Sequence, residues 1–301
     1  MKWILPILML PTLALGAVHI VDASGGGTYL TIQAAVDVAT TGDVIDIKPG
    51  IYYENVVVPY PSTELYFVGD DATTTIVDAG GEGKCFFFSF DGTGMGMVTD
   101  LTLRNSGSGS GGGISHAAIA LKGDTDGSFL ISNCIFQDNP FHCIVSEVRT
   151  NIHENLFIDN LSTSIFLSEG SDVVCFGNTF IDCASGIFFA NTTAAVQIMN
   201  NLFYNLSVRG IWASEGPTLW IMCNNMWSVA TPYYLCSAGT HDFALDPQFC
   251  GNPPDGNYYL QSDSPCAESQ NPICGQVGAF PVECGESAAT LIDWGSLKNR
   301  Y

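Results

Sequence analysis

An asparagine that recurs at nearly regular intervals constrains the fold of this chain more than any other sequence feature. It opens five short motifs spaced by 22, 23, 23 and 24 residues: Asn133, Asn155, Asn178, Asn201 and Asn225. A period in this range is typical of stacked-repeat proteins. Because a single repeat cannot bury its own apolar face, each repeat is predicted to form one coil of a continuous stack. The five asparagines are then expected to form one column, in which each amide bonds the next coil.

Each repeat contains short apolar strands separated by turn residues. In one copy, residues 195–199, 202–204 and 210–213 are strand-like, and Asn, Gly or Ser residues separate them. Stacked coils of this kind form parallel sheets with about 4.8 Å between equivalent residues. Four aromatic residues are expected to stack beside the asparagine column: Phe157, Phe180, Phe203 and Trp227.

The region before the repeats resembles the start of a known family. Residues 29–37 predict an amphipathic helix, residues 44–47 a strand, and residues 49–54 a turn into a second strand. Together with the repeats, this arrangement resembles the secreted bacterial right-handed parallel β-helix proteins of the pectin-lyase-like superfamily, over residues 18–235. The resemblance implies an all-β, right-handed parallel β-helix with an N-terminal capping helix and a Cys-rich C-terminal cap. It is specific for fold and weak for activity, since one fold serves many functions.

Composition divides the chain into four segments. Residues 1–16, with Lys2, a short apolar run and a small-x-small end, predict a secretory signal peptide. Residues 17–240 are predicted to form the β-helix. Residues 241–284 contain four cysteines and many prolines, and predict a C-terminal cap held by at least one disulfide, with its pairing left open. Residues 285–301 form a tail.

The charge balance limits the classes of partner. The chain carries 30 acidic and 9 basic residues, for a net charge of −21. Such a surface repels nucleic acid, and it repels polyuronates unless calcium or a basic patch intervenes. The expected partner is therefore a neutral extracellular polysaccharide. No stretch after residue 16 is long and apolar enough to predict a membrane span, so we expect a protein that is secreted or held at the cell surface. The oligomeric state is left open.

Asp159 and Asp182 are the candidate catalytic residues. Each lies two residues after the motif phenylalanine of its repeat, and Asp138 joins them if the first repeat is shifted by one residue. Carboxylates stacked about 5 Å apart suit an acid/base pair or a calcium site, and calcium is the one cofactor that the sequence suggests. The alternative is a polar turn column, because Asp and Asn favour turns. The same two interpretations apply to a second column: Glu169, Asn191 and Glu215.

The resemblance also implies what an active site would contain. A lyase of this fold needs calcium-binding carboxylates and a basic Arg or Lys, and a hydrolase needs two or three Asp residues. An esterase uses two Asp residues with a Gln and an Arg. The sequence contains none of the superfamily's recognisable catalytic signatures, so catalysis is left open. If the protein is an enzyme, the expectation is a polysaccharide lyase or a glycoside hydrolase.

A strip of three aromatic residues is the candidate carbohydrate-binding surface. Each follows an isoleucine that is expected to point into the core: Phe166, Phe188 and Trp212. Strand alternation then directs the rings outward, where a sugar chain could stack on them. The alternative is that the register differs by one residue and the rings are buried.

Three functions remain open at the level of sequence. The first is a secreted β-helix that binds or processes extracellular polysaccharide. The second is a non-catalytic structural or adhesive surface protein, and the third is a calcium-dependent polysaccharide lyase. The sequence contains glycosylation sequons at Asn160, Asn191 and Asn205, which we interpret as turn residues in a chain rich in Asn turns.

Overall fold

The chain folds as an all-β, right-handed parallel β-helix of about eight turns, which confirms the predicted fold class. The computed structural model describes residues 16–59, 64–91, 95–107, 116–124, 127–168, 172–190, 195–214, 218–251 and 256–284. The predicted signal peptide before Gly16 and the predicted tail after Cys284 lie outside these residues. No helix in the described part of the chain is long and apolar enough to cross a membrane.

Three parallel sheets, named A, B and C here, run along the stack. Sheet A contains β1 Val18–Val21, β2 Val44–Ile47, β5 Tyr66–Gly69, β8 Met95–Thr99, β11 Ser128–Ser132, β14 Thr150–His153, β17 Val173–Phe176, β20 Ala195–Met199 and β23 Thr218–Met222. Sheet B contains β3 Gly50–Tyr53, β6 Thr75–Asp78, β9 Thr102–Arg104, β12 Ile135–Gln137, β15 Leu156–Ile158, β18 Thr179–Ile181, β21 Leu202–Tyr204 and β24 Asn225–Trp227. Sheet C contains β4 Val56–Val58, β7 Phe86–Asp91, β10 Ala117–Asp124, β13 His142–Ser146, β16 Thr163–Ser168, β19 Ser185–Ala190, β22 Arg209–Ala213 and β25 Tyr233–Tyr234.

A short helix, α1 (Ile32–Val36), packs against the first coil. Its N-cap is Thr31, whose side chain accepts a hydrogen bond from the amide of Ala34. Ile32, Ala35 and Val36 are buried against the first strands. The apolar stripe predicted from sequence therefore covers residues that the first coil would otherwise expose.

A ladder of phenylalanines forms the centre of the core. Phe136, Phe157, Phe180 and Phe203 are fully buried, with successive ring centroids 4.6–4.8 Å apart and ring planes within 3–7° of parallel. Met226 takes the next position in register with Phe203. Trp227, predicted for this column, is one residue off: it pairs with Tyr204 and is half-buried.

The asparagine ladder connects the same coils. Asn155 Nδ2 donates to Asn178 Oδ1 at 2.9 Å, and Asn178 Nδ2 donates to Asn201 Oδ1 at 2.9 Å. The next donor, Asn201 Nδ2, lies 3.1 Å from Oδ1 of Asn224. These side chains are fully buried, and each of the three donors also donates to main-chain carbonyls. The ladder thus satisfies backbone groups at a bend that water does not reach.

At each end, the residue in the column differs by one sequence position from the asparagine that was predicted there. Asn133 precedes the column, and Cys134 takes the ladder position with its amide bonded to Asn155 Oδ1 at 3.0 Å. Asn225 follows the column, where Asn224 takes the place predicted for it. Asn133 has a φ of 51°, a left-handed turn conformation that asparagine tolerates well. The adjacent asparagines 224 and 225 made the register ambiguous from sequence.

The C-terminal segment closes the last coil and then folds back along sheet B. Thr240 and Phe243 bridge to the last coil, and the cover, which we define as residues 243–251 and 256–284, packs on the outer face of sheet B. The amide of Ala279 donates to Thr179 Oγ1 at 2.9 Å. The buried cluster between cover and sheet includes Leu156, Ile158, Ile181, Leu202, Tyr258, Leu260 and Phe280.

Two disulfides hold this segment. Cys250 pairs with Cys284, which confirms the prediction of a disulfide within residues 241–284. Cys223 pairs with Cys274 and so ties the cover to a coil. Cys266 is free and buried, as are five cysteines inside the coils. Burial raises the pKa of the Cys85 thiol to about 12, as expected of a cysteine that serves as a packing residue.

Candidate functional site

The turns from sheet B to sheet C carry a column of left-handed residues. Asn105, Asp138, Asp159, Asp182 and Asn205 have φ angles of 52–54°. Among residues other than glycine, Asn and Asp tolerate this conformation best, so the backbone alone favours them here. The pairing of Gln137 with Ile158 places Asp138 in the column, as the one-residue shift of the first repeat predicts.

The three carboxylates of this column differ in their surroundings. Asp182 accepts a hydrogen bond from Asn205 Nδ2 at 2.6 Å. Partial burial, followed by the negative charges of Asp182 and Asp138, raises the pKa of Asp159 above its ordinary value. The surroundings of Asp159 therefore make its carboxyl group harder to ionise than that of an exposed aspartate.

A groove of about 650 Å³ lies beside this column. Its lining consists of Tyr53, Asp78, Gly80, Gly81, Asn105, Ser106, Asp138, Pro140, Asp159 and Leu161. Asp159 thus faces the groove with Asp138, whereas Asp182, its predicted partner, lies beyond the groove beside Asn205. The structure brings together Asp138 and Asp159 as the pair that a ligand in the groove would meet.

Arg104 adjoins the groove through an ion pair with Asp78, one of the residues that line it. Its Nε donates to Asp78 Oδ2 at 2.8 Å, and Asn105 Nδ2 donates to the same oxygen at 2.9 Å. Burial alone would raise the pKa of Asp78, but the hydrogen bonds from Gly80, Arg104 and Asn105 together hold it below its ordinary value. The ion pair therefore fixes the guanidinium of Arg104 in position.

Gln137 directly precedes Asp138 and, like Arg104, is not among the residues that line the groove. It lies next to Arg104 in the pairing of β9 and β12. Two Asp residues, a Gln and an Arg are the set that the superfamily resemblance implies for an esterase. Sequence reasoning missed Gln137 and Arg104 as members of this set. The usable signal was the 21-residue spacing from Asp138 to Asp159, which is close to the repeat period.

The predicted calcium site gains no support from the geometry. No group of three or more His, Cys, Asp or Glu side chains is arranged to hold a metal ion anywhere in the described ranges. Asp159 and Asp182 supply one carboxylate per coil, and Asp182 is hydrogen-bonded to Asn205. Calcium at this pair stays a prediction from sequence. The second polar column, Glu169, Asn191 and Glu215, lies outside the described residues.

The aromatic strip lies in register on sheet C. Phe166, Phe188 and Trp212 pair in successive strands and are half-buried. Their ring centroids are 5.1 and 4.6 Å apart, so the rings pack on one another. Arg209 lies 4.9 Å from the ring centre of Trp212 and 4.2 Å from that of Tyr234, the next residue of the strip. The strip points outward as predicted, but neighbours occupy much of its ring faces.

The sequons differ in accessibility. Asn160 is fully buried and donates to the carbonyl of Phe136 at 2.9 Å, while its Oδ1 accepts from Asn139. It is part of a second, shorter asparagine ladder, which supports its interpretation as a turn residue. Asn205 is exposed, and Asn191 lies outside the described residues.

Two family models match parts of the chain. One describes a right-handed β-helix region and matches residues 89–226. The other describes pectinesterase and matches residues 18–142, a stretch that ends four residues after Asp138. Each match covers less than half of the chain, and the fold itself is a right-handed parallel β-helix.

Individual relatives match over shorter stretches. A pectinesterase of Daucus carota is 44% identical over 64 residues, which cover 20% of this chain and 20% of the relative. A protein of Arabidopsis thaliana named probable pectinesterase/pectinesterase inhibitor 64 is 35% identical over 119 residues, which cover 37% of this chain and 20% of the relative. The matched stretches thus span about a fifth of these relatives' lengths. Both relatives are from plants, so a bacterial origin stays a prediction.

Solved structures of pectin methylesterases align with this chain at low similarity. Pectin methylesterase from carrot covers 77% of this chain and 90% of its own, with 15% identity and a TM-score of 0.40. The deglycosylated pectin methylesterase of Aspergillus niger covers 76% and 84%, with 13% identity and a TM-score of 0.46. These values are too low to transfer function.

Proposed function

We propose that this protein is an extracellular carbohydrate esterase that removes methyl groups from a methyl-esterified uronate polysaccharide such as pectin. The observation that carries the proposal is the pair Asp138 and Asp159 at one groove. Eight of the ten groove residues, all except Asp159 and Leu161, lie within the stretch that matches the pectinesterase model. The disulfides support an extracellular location, since such bonds persist in oxidising compartments.

The charge of the protein favours an esterified substrate. With a net charge of −21, the surface repels a fully ionised uronate chain. A methyl ester removes that charge, so a highly esterified chain behaves as the neutral polysaccharide expected from sequence. De-esterification then creates a carboxylate that the acidic protein repels, and this repulsion would help product to leave.

The groove offers groups suited to ester hydrolysis. In the proposed reaction, the ionised member of the Asp138–Asp159 pair attacks the ester carbonyl carbon, and the protonated member gives its proton to the departing methanol. Water then hydrolyses the acyl-enzyme, which releases the uronate carboxylate and restores the aspartate. Partial burial and the neighbouring carboxylates raise the pKa of Asp159, which supports a role for it as the proton donor.

Two further groups would stabilise the charge that develops on the carbonyl oxygen. Gln137 directly precedes Asp138, and Arg104 lies beside Gln137 in sheet B. An amide and a guanidinium are hydrogen-bond donors of the kind that oxyanion sites use. The ion pair with Asp78 fixes the orientation of Arg104 before substrate binds.

The test is methanol release from methyl-esterified polygalacturonate. We expect the wild-type protein to release methanol, and Asp138→Asn and Asp159→Asn each to lower kcat by roughly 10²–10⁴-fold, the range for loss of a general acid or base. Asp182→Asn is the matched control, because it removes a carboxylate from the same column outside the groove, and it should retain most of the activity.

The products decide between the candidate reactions. A lyase would create a carbon–carbon double bond in the uronate, which absorbs in the ultraviolet, without releasing methanol. Unsaturated products, or methanol release that persists in both Asp138→Asn and Asp159→Asn, would overturn the assignment. A wild-type protein that binds the polysaccharide and changes it in neither way would favour the non-catalytic alternative.

A further inference from the structure

A buried carboxylate lies at the start of the first coil. Asp43 is 5% exposed, just before strand β2. Its Oδ2 accepts from the amide of Thr40 at 2.8 Å and the hydroxyl of Thr40 at 3.1 Å, and it lies 3.0 Å from Nε2 of His19. Its Oδ1 accepts from the main-chain nitrogen of Ala17 at 2.6 Å. Both carboxylate oxygens are therefore committed to fixed donors.

Ala17 is also the point at which the chain joins sheet A. Its carbonyl accepts from the amide of Val44 at 2.8 Å, one residue before the pairing of β1 with β2 begins. The small-x-small motif that predicts signal-peptide cleavage is Ala14-Leu15-Gly16, so the expected cut lies between Gly16 and Ala17. The peptide bond predicted to be cleaved is therefore the one formed by the nitrogen of Ala17, which donates a hydrogen bond to Asp43.

We propose that cleavage between Gly16 and Ala17 turns this hydrogen bond into an ion pair between the new α-ammonium group of Ala17 and the carboxylate of Asp43. A signal peptidase hydrolyses the bond with one water molecule, which leaves the carboxylate on Gly16 and the amino group on Ala17. Signal-peptide removal then stabilises the first coil as well as releasing the protein.

Charge complementarity at this position supports the proposal. An α-amino group has a pKa of about 7.7–8.0 and is mostly protonated at neutral pH. Burial alone would raise the pKa of Asp43, but the hydrogen bonds from Thr40, His19 and Ala17 together lower it to about 2, so the carboxylate is ionised. Hydrogen bonds between two ionised partners are stronger than those between neutral ones. The ionised carboxylate of Asp43 is therefore in place to pair with the positive charge that cleavage creates on Ala17.

The geometry at Gly16 supplies a discriminating variant. A Cβ atom at this position would overlap the main-chain carbonyl of Gly42. An alanine in place of this glycine suits a signal peptidase, which prefers small residues here, but it does not fit the folded chain if residue 16 is retained. The Gly16→Ala variant therefore distinguishes removal of residue 16 from its retention in the folded chain.

The first experiment is secretion of the full-length precursor, followed by N-terminal sequencing and intact mass measurement. We expect the secreted protein to begin at Ala17, and the Gly16→Ala precursor to yield a protein of identical mass and Tm. A mature N-terminus at another residue would overturn the proposal. So would a Gly16→Ala product that retains the substituted residue and shows a lower Tm.

The second experiment isolates the ion pair with a double-mutant cycle. A protein that begins at Ala17 is compared with one that begins at Leu15, which keeps the amide of residue 17 but moves the charge away. Each is made with Asp43 and with Asp43→Asn. We expect the form beginning at Ala17 to melt roughly 2–4 °C higher, and this advantage to disappear in Asp43→Asn. An advantage that persists in Asp43→Asn, or no advantage at all, would refute the ion pair.

Discussion

The outer face of sheet B has two different halves on one continuous backbone. In the first coils, Tyr53 and Asp78 line the groove on this face, and Arg104 lies in register with Asp78. In the later coils, Ile158 and Ile181 occupy the corresponding positions and lie buried beneath the cover. The strand pairing is parallel and in register throughout, so the backbone does not distinguish the halves. In these strands the halves differ in the outward side chain, which is isoleucine where the cover packs.

The largest effect is expected when a charge is placed beneath the cover. Ile181→Asp should lower the free energy of unfolding by at least about 4 kcal/mol, because a fully buried position would hold an unpaired carboxylate. Tyr53→Asp, in the same outward column but 73% exposed, should change it by less than about 0.5 kcal/mol. Urea denaturation measures both. Equal effects at the two positions would show that the halves do not differ in the way the structure indicates.

Removal of the disulfide that ties the cover to the coils should have the next largest effect. Replacing Cys223 and Cys274 together by serine is expected to cost about 2–4 kcal/mol, because this bond closes a segment with a sequence separation of 51 residues. All groove residues except Asp159 and Leu161 come from earlier coils, so methanol release at a temperature well below the Tm should persist. If activity is lost together with the packing of the cover on sheet B, the groove depends on the covered half.

Two groove carboxylates should respond oppositely to pH. Asp78 has a lowered pKa, so its stabilising contribution is present above about pH 3.9 and is lost as the pH falls through its folded-state pKa. Asp78→Asn should therefore cost about 2 kcal/mol at pH 7, the scale of hydrogen bonds to a charged group, and progressively less in acid. Arg104→Gln tests the same ion pair from the other side.

Asp159 has a raised pKa, so its favourable contribution is present below about pH 3.9 and is lost as the pH rises through the folded-state value. Asp159→Asn should consequently raise the Tm at pH 7, although it lowers kcat, and the gain should vanish below about pH 3.9. Thermal melts between pH 3 and 7 decide the sign. A lower Tm at pH 7 would mean that the aspartate is stabilised by contacts other than those of this column.

The smallest effect is expected on sheet C. The aromatic strip remains our proposed carbohydrate contact, and a fully stacked ring would contribute on the order of 1 kcal/mol, or roughly fivefold in Kd. Because Phe188 and Arg209 pack against Trp212, we expect Trp212→Ala to weaken binding of methyl-esterified polygalacturonate by less than this. Titration at low and high salt should give the same ratio, since stacking on an uncharged sugar is not screened. Unchanged binding would remove the strip from the binding surface.

The repeat period predicted the architecture because every coil must bury a similar set of residues. Phe157, Phe180 and Phe203 stack as the spacing indicates, whereas Trp227 misses the column. The error arose where two asparagines stand together, because either residue satisfies the motif. A period of two along a strand makes one residue of slip exchange the inside and outside faces. Register at the ends of the ladder therefore required the hydrogen bonds themselves.

The groove was harder to predict because its residues are distant in sequence. Asp138 and Asp159 share a column that the spacing contains, but Tyr53 and Asp78 come from coils whose irregular lengths break the period. The packing of the cover on Ile158 and Ile181 could not be predicted from sequence either. A strand that is buried on both faces has the same sequence pattern as any short apolar run. Cysteine content predicted disulfides but could not predict that Cys274 would reach Cys223 in the coils.

The left-handed turn column has an evolutionary consequence. Asn105, Asp138, Asp159, Asp182 and Asn205 occupy equivalent positions, and the backbone there accepts either residue type. Asparagine and aspartate codons differ by a single nucleotide, so a carboxylate can appear or disappear at one coil without disturbing the stack. A lineage with this scaffold can therefore shift its reactive position along the axis by small steps, each of which passes through a folded protein.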